Sequence, residues 1–330
     1  MVTGKANAPN AFASPVTIGA SEQESAAMQR SSILRQEERV AYLFLLPWLL
    51  GLVIFTAIPM IASLGMSLTD WRLLTEPSWV GLANYQEMLT ADPVFWHAIT
   101  ITLRYTIVSL PIYITLGLGL AMLLNQQLRG MYAFRTIFYI PAVLSGVAVA
   151  ILWLQMFNPQ FGAINYFLRA VGVENPPRWF GSPTWALPAL VIVGIWGVGG
   201  GAVIYLAGLQ NISPHLYEAA DIDGASGWNK FWHITLPMLS PTLFFTLITG
   251  LIESFQMFGP AFIFAGADGG PGRSLLFYLL YLYRTGFARG QMGYASALAW
   301  VLVLIAAVTI LLVFRLERRF VFYELADERG

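Results

Sequence analysis

Six stretches of the chain are apolar for roughly 20 residues or more, the length a helix rising about 1.5 Å per residue needs to cross a hydrocarbon core about 30 Å thick. They run 42-68, 99-124, 136-157, 185-209, 242-265 and 293-315. No soluble fold could bury that much apolar length. With 57% of its 330 residues hydrophobic and only 11% charged, against about 25% charged in an average soluble domain, the chain reads as an all-α membrane protein with six transmembrane helices. Pro47, Pro59, Pro111, Pro141 and Pro188 predict kinks or helix starts, because proline lacks the N–H of the helical ladder.

Charge sets the orientation. Of the 18 Lys and Arg, eleven fall in segments on the side of the N-terminus and seven in the alternate ones. Positive charge near spans marks the cytoplasmic side, so both termini are expected in the cytoplasm. Residues 1-39 read as a disordered cytoplasmic tail, 40-320 as the membrane domain and 321-330 as a cytoplasmic C-terminal tail. The 18 basic and 18 acidic residues cancel, so no net field argues for nucleic acid. The absence of cysteine removes disulfides, thiolate metal sites and thiol nucleophiles. Trp71, Trp79, Trp96, Trp179 and Trp185 lie near span ends, as interfacial belts do.

One segment, 210-241, is polar and punctuated, yet lies between two spans on the cytoplasmic side. Ser213 and Pro214 read as an N-cap and first helical residue, predicting a helix from Pro214 to about Ile222 that Gly224 ends by tolerating the left-handed conformation. A second helical piece is expected from about Ser226, stopping before Pro237, with Pro241 opening the fifth span. Leu216, Tyr217, Phe231 and Trp232 supply apolar contacts, and Glu218, Asp221 and Asp223 supply acid. An amphipathic hairpin on the lipid headgroups is one reading. A lipid-binding helix, however, carries Lys and Arg on its polar face, whereas the first helix here has only acids, which favours a protein partner.

Glu218-Ala219-Ala220, then Asp223-Gly224-Ala225, then Phe231, Ile234, Leu236-Pro237, Leu239 and Pro241 resemble the "EAA" loop of permease subunits of binding-protein-dependent ABC importers. The stretches "SLTDWRL", "VGLANY", "FRTIFYIPAVLSGVAVAILW", "GGP" and "MGYASALAW" are similar to sugar permeases of the maltose, lactose and glycerol-phosphate importer type. The resemblance implies the type I importer permease fold, in a bacterial or archaeal inner membrane. It also implies that the 214-235 loop is a coupling helix seated on a separate ATPase, with Glu218, Ala219, Ala220, Asp223, Gly224 and Ala225 at that contact. The implied partners are a second permease subunit, two ATP-binding subunits holding ATP and Mg, an extracytoplasmic sugar-binding protein and membrane lipid. This chain itself would hold no cofactor and no metal.

Glu253 stands near the middle of the expected fifth span, beside Ser254 and Gln256. An ionisable group at that depth costs about 3 kcal/mol and should face the bundle interior or a water-filled path. By position in relatives that touch sugar, Trp196, Gly200, Glu253, Ser254 and Gln256 form the candidate substrate path; carboxylates and amides bond hydroxyls, and Trp196 could cover an apolar sugar face. A structural hydrogen bond or a protonated acid remains the bland alternative for Glu253. Gly197, Gly199 and Ala202 satisfy a loose dinucleotide pattern, but no strand precedes them. Gly197 and Gly201, four apart, are instead expected to let two helices approach. "GADGGPGRS" lacks the lysine and spacing of a phosphate loop. His97, His215 and His233 are scattered. The chain is therefore expected to be a transport subunit and not an enzyme, importing a sugar by alternating access. The competing class is an ion-coupled secondary transporter using Glu253.

Overall fold

The computed structural model describes residues 40–126 and 128–320; both expected tails, 1-39 and 321-330, lie outside the described residues. The chain divides into two compact units, Met1–Ala62 and Ser63–Gly330. The first unit's described residues belong to helix α1 (Val40–Ser67), a helix of 28 residues whose most apolar window is 0% buried. Pro59 does not break it. A π-turn over Val53–Ala57, closed by the Ile58 N–H on the Val53 carbonyl, widens the backbone just before the proline, which moves the preceding turn away from the ring.

The second unit continues with α2 (Ala83–Thr90) and α3 (Pro93–Leu124), then α4 (Met131–Val143), α5 (Gly146–Met156), α6 (Ala163–Ala170), α7 (Ala186–Trp196) and α8 (Val198–Asn211). The hairpin helices are α9 (Pro214–Ile222) and α10 (Gly227–Met238), followed by α11 (Ser240–Phe255), α12 (Gly259–Ala265), α13 (Tyr278–Tyr283) and α14 (Met292–Phe320). Three helices, α1, α3 and α14 up to Arg315, are long and apolar enough to cross a membrane alone; the pairs α4/α5, α7/α8 and α10/α11 add three more if each bent pair is one span.

Three expected spans thus differ in detail. The stretch 136-157 is two helices meeting at 96°, because Leu144 and Ser145 are both extended. The stretch 185-209 bends by 47° at Gly197. The stretch 242-265 is interrupted at Gln256–Phe258, between α11 and α12. Pro111, by contrast, sits inside a single continuous α3.

Glycines admit close neighbours between the helices, a backbone at Gly199 and side chains at Gly194 and Gly250. A Cβ on Gly199 would fall 1.8 Å from the Phe138 carbonyl oxygen, one on Gly194 would meet the Tyr113 hydroxyl at 2.0 Å, and one on Gly250 would meet Leu110 at 2.4 Å. The expected pair Gly197 and Gly201 is not used this way: Gly201 has nothing within 4 Å, and Gly197 only the carbonyl of Gly194 at 3.5 Å. α4 crosses the helix face that carries Gly199, and hydropathy does not say which of five clustered glycines that will be.

Away from the hairpin, the ends of several helices are tied by polar side chains. Asp92 Oδ1 accepts from the Val94 and Phe95 N–H groups at 2.8 and 3.2 Å, capping α3, while its Oδ2 accepts from the hydroxyls of Tyr281 on α13 and Tyr294 on α14. One carboxylate therefore joins three helices. Trp179, expected in the interfacial belt, is instead 6% exposed; its Nε1–H donates to Asn165 Oδ1 at 2.6 Å, and its ring packs on Phe157. Trp79, Trp96 and Trp185 are exposed. Replacing Asp92 with alanine removes a cap worth about 1 kcal/mol and a charged acceptor for two phenols. A thermal midpoint lowered by several degrees is expected, with Asp92→Asn, which can still cap, falling less; equal, negligible shifts in both would show that the junction does not stabilise the fold.

Candidate coupling hairpin and substrate path

The hairpin folds largely by local rules. Pro214 opens α9 where its missing N–H has no ladder partner to lose. Ser213 occupies the cap position, but its hydroxyl makes no capping bond, unlike the expected serine cap. At the other end Gly224 takes φ +72°, the Ala225 N–H donates to the Ala220 carbonyl at 2.9 Å and the Gly224 N–H to that of Asp221 at 3.1 Å. This is a Schellman ending, which needs a residue able to adopt the left-handed conformation. Ser226 then caps α10, its Oγ accepting from the Asn229 N–H at 3.3 Å.

α10 does not stop before Pro237 but runs to Met238 and meets α11 at 63°. The reason repeats that seen in α1. A π-turn over Phe231–Thr235, closed by the Leu236 N–H on the Phe231 carbonyl, comes just before the proline and relieves the clash an ordinary turn would impose.

The six candidate contact residues separate into two groups. Glu218, Ala219, Asp223 and Gly224 are exposed, while Ala220 and Ala225 are half-buried and line a small recess with Asn229, Lys230, His233 and Ile234. Glu218 Oε2 lies 3.1 Å from His215 Nδ1, and Lys230 Nζ lies 2.7 Å from Asp221 Oδ1. Tyr217 and Phe231 turn inward, against a cluster that includes Leu118, Tyr205, Leu209 and Leu239. Ile222 is 87% exposed and Trp228 68% exposed. Neither is among the apolar contacts expected from the sequence; for Trp228 the available signal was its grouping with Phe231 and Trp232 on a short polar hairpin. Trp228 and Trp232 pack edge to face, with centroids 5.6 Å apart, so the outer face combines acids with aromatic surface, a mixture suited to a protein contact.

The candidate path residues are not equivalent. Glu253 and Gln256 are exposed at the C-terminal end of α11, with Gln256 as its cap residue, not in the middle of an unbroken span. Among the described residues no hydrogen bond or ion pair engages the Glu253 carboxylate. Ser254 is buried and its Oγ–H donates to the Gly250 carbonyl of its own helix at 2.8 Å. Trp196 is half-buried at the end of α7 and meets Trp153 edge to face at 6.1 Å. Gly200 is a packing position: a Cβ there would touch the Ala142 Cβ at 3.0 Å. Glu253 and Gln256 are thus the two polar side chains with open approach.

Residues 113–322 match the family described as binding-protein-dependent transport system inner membrane component. The chain belongs to that family. It is 40% identical over 92% of its length to the probable ABC transporter permease protein YesP of Bacillus subtilis, covering 98% of that protein. The lactose transport system permease protein LacF of Rhizobium radiobacter is 37% identical across 89% of this chain and 99% of its own. Among solved structures, a bacterial alginate ABC transporter in complex with an alginate pentasaccharide-bound periplasmic protein matches with TM-score 0.74 at 25% identity, over 86% of this chain and 96% of the matched one. The chain is accordingly an ABC importer permease subunit of the inner membrane, a transport component.

Proposed function

We propose that this permease carries a sugar or sugar derivative into the cell by alternating access, driven by ATPase subunits docked on α9 and α10. The observation that carries the coupling half is the hairpin itself, a helix opened by Pro214 and ended by a Schellman turn that presents Glu218, Ala219 and Asp223 outward between two candidate spans. ATP and Mg would be held by those partner subunits. A second permease subunit and an extracytoplasmic binding protein complete the assembly, with both termini of this chain in the cytoplasm. The sugar half draws on relatives named for lactose and for trehalose and maltose, and on an open carboxylate and amide at Glu253 and Gln256, groups that bond hydroxyls in both directions.

Affinity purification of the chain from its native membrane tests the assembly. A second permease and an ATPase should co-purify in a mild detergent; recovery of the chain alone would count against the reading. Replacing Glu253 with alanine should weaken apparent sugar affinity about tenfold, the worth of one charged hydrogen bond, with assembly intact because the carboxylate makes no hydrogen bond or ion pair among the described residues. Loss of assembly in that variant would make Glu253 structural. Uptake that survives ATP depletion but collapses with the proton gradient would restore the ion-coupled alternative.

A further inference from the structure

The two hairpin helices touch through two polar pairs, and the backbone is distorted in the way needed to make both. Tyr217 and Asp221 are four residues apart and share one face of α9. Their partners on α10, Thr235 and Lys230, are five apart: the Tyr217 hydroxyl lies 3.0 Å from Thr235 Oγ1, and Lys230 Nζ 2.7 Å from Asp221 Oδ1. In an unbroken α-helix, residues five apart point about 140° from each other, so one pair would be lost. The π-turn over Phe231–Thr235 replaces that spacing with an i→i+5 repeat, which brings residues five apart nearly over one another.

The two pairs differ in what they can transmit. Asp221 and Lys230 form an open pair, their side chains 62% and 22% exposed, and such pairs hold weakly. Thr235 is 6% exposed. Its hydroxyl lies 3.0 Å from the Tyr217 phenol, either of which can donate, and reaches the Lys230 carbonyl only at 3.4 Å. Beyond Thr235, α10 leads into α11 across Leu239, which is 0% exposed and wedged against the helix at Gly208, where an added Cβ would meet it at 2.7 Å. A displacement of α9 therefore has a short, packed route to α11 and its exposed end.

We propose that Tyr217 and Thr235 are positioning residues for coupling: their hydroxyl pair fastens α9 to the π-turn, so that movement imposed on α9 reaches Glu253 and Gln256. The proposal rests on the coupling reading above. Because the chain has no cysteine, Gln256→Cys provides a unique thiol on this subunit for a maleimide probe, applied to the purified assembly in lipid nanodiscs with and without ATP. ATP should change the labelling rate of that thiol. Adding Tyr217→Phe, which keeps the packed ring and removes only the hydroxyl, should leave ATP hydrolysis within about twofold while shrinking the ATP-driven change about fivefold or more. Thr235→Val should do the same, and the two together should be no worse than either, as for a single shared interaction.

An unchanged ATP response in both single variants would overturn the proposal, as would parallel loss of assembly and hydrolysis, which marks a merely structural bond. If the reporter alone fails to respond while the ATPase is bound and hydrolysing, the coupling reading falls, and this proposal with it.

Discussion

Glu218→Lys is expected to abolish sugar uptake, by about thirtyfold or more, while leaving the chain folded and inserted. The Glu218 side chain is 68% exposed and its only partner among the described residues is His215, itself 88% exposed. An open pair of this kind contributes at most about 1 kcal/mol, and surface substitutions generally move stability by about 0.5 kcal/mol or less. The same reversal inside a protein interface leaves a charge facing its former complement, which costs about 2–5 kcal/mol in binding. The signature is a large functional loss without a stability loss. Membrane yield and thermal midpoint should match the unaltered chain, and the ATPase should disappear from the co-purified material. Retained ATPase together with uptake within twofold of the original would remove Glu218 from the coupling contact.

A matched pair of glycine substitutions should give the opposite signature. Gly199→Ala places a methyl 1.8 Å from the Phe138 carbonyl oxygen and 2.7 Å from its carbon. Both atoms are backbone, so relief requires α4 and α8 to separate, not a side chain to rotate. Overpacking typically costs about 1–3 kcal/mol, and a clash with backbone that no side-chain rotation relieves belongs at the upper end, so folded yield should fall sharply. Gly201→Ala, two residues on and with nothing within 4 Å, should be neutral or slightly stabilising, since alanine is favoured over glycine in helices by about 1 kcal/mol. Yield and thermal midpoint of the two purified variants decide the matter. Equal behaviour would mean that the α4–α8 approach at Gly199 is not the tight contact described.

Much of the hairpin was legible beforehand because its determinants are local. Pro214 and Gly224 mark the ends of α9 by what proline and glycine do to their own backbone, and the acids announce themselves in the sequence. The serine cap at Ser213 and the stop before Pro237 were reasonable by the same rules, and both yielded to context. Ser213 leaves its hydroxyl unused, and the π-turn lets α10 carry Pro237 without ending. At the other site, an acid in an apolar run was legible at Glu253. Its place at the end of α11 was marked only by Gly259 and Pro260, which open the next helix directly after the interruption at Gln256–Phe258 and which lie inside an apolar run long enough to read as one unbroken span.

The sequence by itself determined that this chain is a helical membrane protein with a polar hairpin between apolar runs, because run length, capping and turn chemistry act over a few neighbouring residues. Only the tertiary structure decided which glycine admits a neighbouring backbone, that Trp179 is an internal brace bonded to Asn165, and that Asp92 gathers Tyr281 and Tyr294 from far along the chain. It also decided that Tyr217 meets Thr235. Each of these depends on how one helix is rotated against another. That rotation is set by packing between residues distant in sequence, a quantity that local periodicity does not contain.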